Sequence, residues 1–215
     1  MWFAGPVRRI PDAGRPGALR LGLSLTPGMR VGLYGGSFNP VHDGHLQVAR
    51  TAKARLSLDR VIWLVTPGNP LKEPPAGLAA RVAGVKARVA DPAMIVSDLE
   101  TRTGTRYSLD TLRVLQARYP GVHFVWIMGA DNLAGFHRWR GWAQIMRQVP
   151  VAVVARPGAM MAALSSPAAR RFAHARVPAN RAGRLPLMTP PAWVFLATPL
   201  NSASSTALRS RRLVG

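Results

Sequence analysis

The sequence contains no cysteine, and this absence excludes several classes of protein and site. Without thiols the chain cannot form a disulfide scaffold, bind zinc or iron–sulfur clusters through thiolates, or use a cysteine nucleophile. Hydrophobic residues make up 48% of the chain and are spread along it, which argues against wholesale disorder. A chain of 215 residues is by default one domain that buries roughly 70% of its unfolded surface without cross-links. We therefore expect a single cored domain, with the cytoplasm as its compartment.

Long hydrophobic runs are also missing. No apolar run reaches the roughly 18 residues that span a bilayer, so no membrane partner is expected. Arg8 and Arg9 lie near the start, but no apolar core of signal-peptide type follows them. The sequence thus gives no sign of membrane insertion or of secretion by that route.

Acidic residues are scarce and unevenly placed. The chain has 29 Lys and Arg residues against 9 Asp and Glu residues, a formal charge of +20. All nine acids lie between Asp12 and Asp131, so residues 132–215 contain 12 Arg and no acid. Such a field attracts anions, whether nucleic acid, nucleotide phosphates or anionic lipid. Most of the basic residues are Arg, a skew that genome base composition alone can produce, so charge does not choose among these partners.

A nucleic-acid-binding module built on the Arg-rich C-terminal half is one alternative function. That half lacks the interleaved exposed aromatic residues of a platform on which bases stack. We therefore expect no specific nucleic-acid partner, and a salt-dependent shift of random DNA would argue for one.

Apolar runs and helical patterns alternate from about residue 30 onward. Strands are predicted at 31–34, 61–65, 94–96, 122–128, 151–155 and 193–197. Helices are predicted at 44–56, 77–90, 107–118, 130–147 and 203–213. The alternation, with strands apolar almost throughout, predicts an α/β domain at 30–215 whose doubly wound parallel sheet is covered on both faces. Ligands should bind outside the carboxyl ends of the strands, at the topological switch point.

Two segments do not fit this alternation. Residues 1–29 are rich in Pro, Gly and Arg without an apolar period, and we interpret them as a poorly ordered basic extension. Residues 156–191 form a Pro- and Arg-rich insertion, with one helix predicted around 167–176.

The segment Gly35–Leu46 (GGSFNPVHDGHL) lies where the first strand ends and the first helix begins. Gly35 and Gly36 allow the backbone to approach a ligand, and a helix N-terminus offers N–H groups and a positive dipole to phosphate. His42 and His45 lie at the entry to that helix, where both imidazoles can donate to phosphate oxygens. The segment is neither a Walker A loop nor a dinucleotide fingerprint. In another context, two surface histidines would be the simpler interpretation.

A second group opens the last predicted helix. Ser204, Ser205 and Thr206 are followed one turn later by Arg209. Hydroxyls at a helix start can cap it and still donate to an anion. Taken alone, these residues would be an ordinary N-cap on a basic helix.

A third group follows the strand at 122–128. Gly129 lets a nucleoside lie near the backbone, and Asp131 can accept hydrogen bonds from ribose hydroxyls, with helix N-capping as its alternative role. Trp139 and Trp142 follow, and we interpret Trp142 as core or pocket wall.

Two further blocks lie at predicted strand ends. Lys72 ends the stretch PGNPLK after the second strand, where it can reach a phosphate or remain a solvated loop lysine. Residues 100–112 read ETRTGTRYSLDTL.

Together the five blocks resemble the HxGH nucleotidyltransferases and, within them, the bacterial nicotinate-nucleotide adenylyltransferases. The resemblance spans roughly residues 30–213, with the blocks in the family's order. It implies a Rossmann-like nucleotidyltransferase fold and adenylyl transfer from ATP to nicotinate mononucleotide in NAD biosynthesis, giving nicotinate adenine dinucleotide and pyrophosphate. A related adenylyltransferase acting on nicotinamide mononucleotide or another phosphate acceptor is the alternative within this fold.

The resemblance also implies roles for individual residues. The implied catalytic residues are His42, His45 and Arg209. The implied ATP-binding residues are Gly35, Gly36, Ser37, Phe38, Gly129, Asp131, Ser204, Ser205 and Thr206. The implied mononucleotide-binding residues are Asn39, Lys72, Tyr107, Ser108 and Trp139.

In the family, the residue matched by Trp139 stacks on the pyridine ring, and the turn and hydroxyls of the block matched by residues 100–112 hold the nicotinate carboxylate. This sequence has Asn39 where the family usually has Asp, Arg106 for Ser, Ser108 for Thr and Ala203 for Ile. Mg²⁺ is expected to travel with the phosphates of ATP, and no protein ligand is assigned to it.

Overall fold

The computed structural model describes residues 21–67 and 77–197 of the chain. The strands are β1 (Arg30–Gly36), β2 (Arg60–Val65), β3 (Met94–Ser97), β4 (His123–Gly129), β5 (Val151–Val154), β6 (Arg176–Val177) and β7 (Trp193–Leu196). They form one seven-stranded sheet in the order β3-β2-β1-β4-β5-β7-β6, and every neighbouring pair is parallel. The predicted doubly wound parallel sheet is therefore confirmed.

Each central strand is buried on both faces. Along β2, Ile62 and Leu64 belong to one hydrophobic cluster, while Trp63 belongs to the other. The same alternation along β4 places Trp126 in the first cluster and Ile127 in the second. Burial on both faces explains why these strands are near-continuous apolar runs.

Helices cover the two faces of the sheet. The α-helices are α1 (Asp43–Arg55), α2 (Leu78–Arg88), α3 (Leu99–Thr103), α4 (Ser108–Arg118), α5 (Ala130–Gly135), α6 (Trp142–Gln148), α7 (Met160–Leu164) and α8 (Pro167–Arg171). The 3-10 helices are Phe136–Arg138, Ala173–Ala175 and Ala179–Leu187. Helix α1 buries Leu46, Ala49 and Ala52, a spacing that places one face of the helix against the sheet. Within 21–67 and 77–197, no helix is long and apolar enough to cross a membrane.

The prediction of one continuous helix at 130–147 is wrong. The stretch breaks into α5, a 3-10 turn and α6, because Gly141 has a φ of 70° and forms the N-cap of α6. This left-handed conformation favours glycine and interrupts the helix. The break leaves Trp139 and Arg140 in a short irregular connection.

Two parts of the sequence interpretation need correction. Residues 21–29 are not a poorly ordered extension, since Leu21 and Leu23 are 3% and 8% exposed in the core. Their backbone is held by Arg102 Nη1, which donates to the Leu21 carbonyl, and by the Tyr119 hydroxyl, which donates to the Leu23 carbonyl. The insertion at 156–191 contains not one helix but several short helical turns, and it also contributes β6 to the sheet.

Candidate active site

The candidate site lies at the carboxyl ends of β1 and β4, which are neighbours in the sheet. The connection after β1 runs to β2 on one side, and the chain later returns to place β4 on the other side. This is the switch point at which a doubly wound sheet leaves a crevice for ligands.

The turn between β1 and α1 is shaped by aromatic packing. Phe38 has a φ of 47° and is 2% exposed, with its ring centroid 5.0 Å from that of Trp63. A Cβ on Gly36 would lie 3.0 Å from the Phe38 ring, and one on Gly35 would lie 3.3 Å from Trp126. The two glycines therefore make room for buried rings. The side chain of Phe38 is buried in the core, so only the backbone of Phe38 is available to a nucleotide.

His42 and His45 are brought together at the start of α1. Their ring centroids are 3.8 Å apart with an interplanar angle of 38°. The backbone N–H of His42 donates to Nδ1 of His45 at 3.3 Å. Because Nδ1 accepts this bond, neutral His45 holds its proton on Nε2, where it is a donor. His45 is half-buried, and His42 is 2% exposed.

His42 is an uncharged donor or acceptor at neutral pH. Burial, reinforced by the nearby Arg156 cation, lowers the pKa of His42 to about 4. Its Nδ1 is buried without a hydrogen-bond partner among the described residues. An unpaired buried nitrogen costs folding free energy, which points to a role other than packing.

Gly129 ends β4 and is followed by Asp131 in the first turn of α5. A Cβ on Gly129 would collide with the Asp131 carboxylate and lie 2.9 Å from Cδ of Arg156. Gly129, not Asp131, is the N-cap of α5, so the capping alternative for Asp131 is not what the structure shows. The glycine instead leaves space for these two charged side chains over the strand end.

Sequence reasoning missed Arg156, which follows β5. Its Nη1 donates to Oδ2 of Asp131 at 3.1 Å, and the two side chains are 15% and 47% exposed respectively. Its Nη2 is buried and has no hydrogen-bond partner in the described part of the chain. The position just after a strand is the only sequence signal that could have found it, since β5 neighbours β4 in the sheet.

Trp139 lies in the connection between α5 and α6. Its ring packs edge-on against Phe136, with centroids 5.2 Å apart, and against Trp126 at 6.5 Å. It is half-buried, so one part of the indole is accessible. Trp142 packs between Phe136 and Phe172, at 6.3 Å and 5.9 Å, which agrees with its interpretation as core or pocket wall.

Tyr107 and Ser108 lie at the start of α4, where Tyr107 is the N-cap and Ser108 the first helical residue. The turn before them is held by hydrogen bonds between hydroxyls, one of them buried. Thr111 Oγ1 donates to Glu100 Oε1 at 3.1 Å and lies 3.0 Å from Thr105 Oγ1. Glu100 is 3% exposed, and burial raises its pKa to about 7.

A second missed residue, Arg81 on α2, holds the ends of β1 and β2 together. It is 4% exposed, and Nη1 donates at 2.7 Å to both the Ser37 and Thr66 carbonyls. Its Nη2 donates to the Pro67 carbonyl at 3.1 Å. One buried guanidinium thus fixes the backbone that leads into the histidine turn.

Several predicted site residues cannot be placed. Those outside the described residues are Lys72, Ser204, Ser205, Thr206 and Arg209. Asn39 is half-buried in the turn before α1. In the described ranges, no three His, Cys, Asp or Glu side chains are grouped as a metal site.

Comparisons with known proteins show the family of the chain. The cytidylyltransferase-like family matches residues 33–211 of the chain. A probable nicotinate-nucleotide adenylyltransferase of Caulobacter sp. (strain K31) is 65% identical over 189 residues, covering 87% of this chain and 100% of the relative. One from Methylorubrum extorquens is 55% identical over 185 residues, covering 85% of this chain and 100% of the relative.

A solved structure shares the fold. The Plasmodium falciparum nicotinic acid mononucleotide adenylyltransferase complexed with NaAD superposes with a TM-score of 0.64 at 14% identity, covering 84% of this chain and 82% of that one. The Rossmann-like nucleotidyltransferase fold follows from this likeness together with the parallel sheet.

Proposed function

Because the chain belongs to the cytidylyltransferase-like family and, within it, to the nicotinate-nucleotide adenylyltransferases, we propose that it transfers the adenylyl group of ATP to nicotinate mononucleotide. An oxygen of the mononucleotide 5′-phosphate attacks the α-phosphorus of ATP, and the bond from that phosphorus to the β-bridging oxygen breaks. The products are nicotinate adenine dinucleotide and pyrophosphate. We expect the reaction to take place in the cytoplasm, where ATP is available.

This chemistry needs no general base or covalent nucleophile, because a phosphate monoester is largely ionised at neutral pH. Catalysis then depends on aligning two anions and on stabilising the charge that develops on the departing pyrophosphate. The lack of cysteine is no obstacle to such a mechanism.

The observation that best supports the proposal is the His42–His45 pair at the N-terminus of α1. In our proposal, Nε2–H of His45 donates to a phosphate oxygen, and buried His42 orients the His45 ring through their ring contact and its backbone N–H. The N-terminal N–H groups of α1 add a positive partial charge to the same place. The His42 imidazole stays uncharged at neutral pH, because its pKa is lowered to about 4.

The opposite side of the crevice would bind the sugars and the pyridine. We assign ribose hydroxyls to Asp131, whose carboxylate is held in place by Arg156. The accessible part of the Trp139 indole would stack on the pyridine ring, with Tyr107 and Ser108 at the nicotinate carboxylate. From the sequence alone, we keep Ser204, Ser205, Thr206, Arg209 and Lys72 as further phosphate ligands. Magnesium enters in this proposal as part of the MgATP substrate.

The direct test measures pyrophosphate release from MgATP with nicotinate mononucleotide or nicotinamide mononucleotide as acceptor. We expect turnover with the acid and identification of nicotinate adenine dinucleotide as the product by mass. Turnover with the amide alone would assign the protein to the related activity, and release with neither acceptor would reject the proposal.

A further inference from the structure

Arg140 lies on the ring of Tyr107 and directly follows Trp139 in the chain. Its guanidinium carbon is 4.6 Å from the centroid of the Tyr107 ring, and its neighbour in the chain is Trp139. Arg140 is exposed, whereas Tyr107 and Trp139 are half-buried. The arrangement places an exposed cation on the ring of one residue assigned to the mononucleotide and next in the chain to another.

The connection that holds Arg140 is fixed at both ends. The Trp139 N–H donates to the Phe136 carbonyl at 2.9 Å, and the Trp142 N–H donates to the Trp139 carbonyl at 3.1 Å. Gly141 packs so closely on Leu109 of α4 that a Cβ there would collide with the leucine side chain. Residues 139–141 and the start of α4 are therefore one packed unit.

The Arg140 guanidinium has no carboxylate partner in the described ranges. The ion pairs found there engage Lys53, Arg88, Arg102, Arg113 and Arg156. A guanidinium on the face of a ring keeps its N–H edge for another partner, and that edge matches the two oxygens of a carboxylate. Stacking on Tyr107 restricts the side chain in advance, which lowers the entropy that binding would cost.

We propose that Arg140 selects the carboxylate of nicotinate mononucleotide over the amide of nicotinamide mononucleotide. This inference rests on the proposed function and names the residue that determines which mononucleotide the protein accepts. The carboxylate accepts two charge-assisted hydrogen bonds from the guanidinium. The amide has one acceptor oxygen, and its NH₂ group would oppose the donors of Arg140.

The test compares kcat/KM for the two mononucleotides at saturating MgATP in wild type, Arg140→Gln and Arg140→Lys. Arg118→Gln is the matched control, because Arg118 also lies on a tyrosine ring, 5.9 Å from the centroid of Tyr119. We expect Arg140→Gln to lower kcat/KM for the acid about 10-fold to 100-fold, the effect of one charged hydrogen-bonded pair. The value for the amide should change by less than about 3-fold, and Arg140→Lys should be intermediate.

The outcomes separate the two proposals. Suppose that wild type uses the acid, but Arg140→Gln lowers kcat/KM equally for acid and amide or changes neither value. Arg140 then does not select the substrate, and the proposed function remains. Equal wild-type kcat/KM for acid and amide would also overturn the inference. If wild type uses neither mononucleotide, the proposed function fails and the inference fails with it. Melting temperatures within a few degrees of wild type would show that the variants are folded.

Discussion

Arg156 and Asp131 form an ion pair across the ends of two neighbouring strands, with Nη1 of the arginine 3.1 Å from Oδ2 of the aspartate. Their side chains cross over Gly129, which has no Cβ to obstruct them. The pair connects β5 to β4 at the edge where ligands are expected. Its carboxylate keeps lone pairs for a ribose hydroxyl, while its cation adds to the burial that keeps His42 neutral.

Asp131→Asn should lower kcat/KM for both substrates about 10-fold to 100-fold, because a charged acceptor becomes a weaker neutral one. Arg156→Gln should cost activity as well, and Arg156→Lys should recover part of it. Stability should change by less than about 1 kcal/mol for Asp131→Asn, since that carboxylate is 47% exposed. Steady-state kinetics and urea denaturation measure both effects.

Asp91→Asn is the control for this pair. Asp91 accepts from Lys53 at 2.6 Å, but it precedes β3 at the amino end of the sheet. Its loss should leave kcat/KM unchanged. Equal kinetic effects of the two aspartate variants would remove Asp131 from the site.

His45→Ala should reduce turnover about 10²-fold to 10³-fold, as expected for one donor to a developing charge. Because His45 is half-buried, the melting temperature of the His45→Ala variant should stay near that of wild type. His42→Ala should lose activity to a similar extent and also lose about 1–3 kcal/mol of stability, since His42 is 2% exposed and its ring packs against that of His45. Turnover and denaturation of the two variants give the comparison, and near-normal turnover of His45→Ala would contradict its role.

Arg81→Met should destabilise the protein by about 2–4 kcal/mol, because three backbone carbonyls lose their buried donor. We also expect a higher KM for ATP, since the Ser37 carbonyl belongs to the turn that leads to His42. Arg88→Met on the same helix is the control: Arg88 is 44% exposed and pairs with exposed Asp43, so its loss should cost less than about 1 kcal/mol. Equal stabilities of the two variants would show that the carbonyl contacts of Arg81 are energetically unimportant.

Glu100→Gln should alter how stability depends on pH. The folded pKa of Glu100 is about 7 and its ordinary value is 4.5, so between these pH values only the unfolded state releases the proton. The wild-type contribution to stability therefore falls as pH rises through this window and levels off above it. Glutamine retains an acceptor for Thr111 and cannot ionise.

Urea denaturation of wild type and Glu100→Gln at about pH 4.5, 5.5, 6.5 and 7.5 tests this difference. The stability of the variant relative to wild type should increase with pH. A difference that does not vary with pH would mean that Glu100 ionises normally in the folded protein.

Trp139→Ala should raise the KM for nicotinate mononucleotide about ten-fold and leave the KM for ATP nearly unchanged, because stacking on a cationic ring contributes roughly 1–2 kcal/mol. Trp142→Ala is the contrasting variant, since that ring packs between Phe136 and Phe172. Its main effect should be a stability loss of about 3–5 kcal/mol. If Trp139→Ala raises both Michaelis constants equally, the stacking assignment is wrong.

The parts of the fold that could be predicted are those with a strong local pattern. Strands buried on both faces, such as β2 and β4, are apolar runs that stand out in the sequence, and the glycine turn before α1 marks the switch point. β6 has only two residues and is recognisable only from its pairing with β7. The burial of Leu21 and Leu23 likewise depends on distant partners, including the Tyr119 hydroxyl.

In the candidate site, too, residues with a strong local pattern could be predicted and residues defined by distant contacts could not. The histidines could be predicted because their spacing at a helix start is itself informative. Arg81 could not, because nothing in its local sequence distinguishes it from the other arginines of a strongly basic chain, and Arg156 is marked only by its position just after β5. Their roles come from tertiary contacts with strand ends that are far away in the sequence.

The central position of β1 also bears on how the protein is made. Arg30 of β1 pairs with His123 of β4, about 90 residues later in the chain. During synthesis, β1, α1 and β2 leave the ribosome first, but one edge of β1 stays unpaired until β4 follows. The histidine turn and Gly129 can therefore meet only late in translation. Contacts of such sequence separation slow folding and leave an open strand edge in the nascent chain. Nascent chains that stop before residue 123 should accordingly be the form most prone to aggregation.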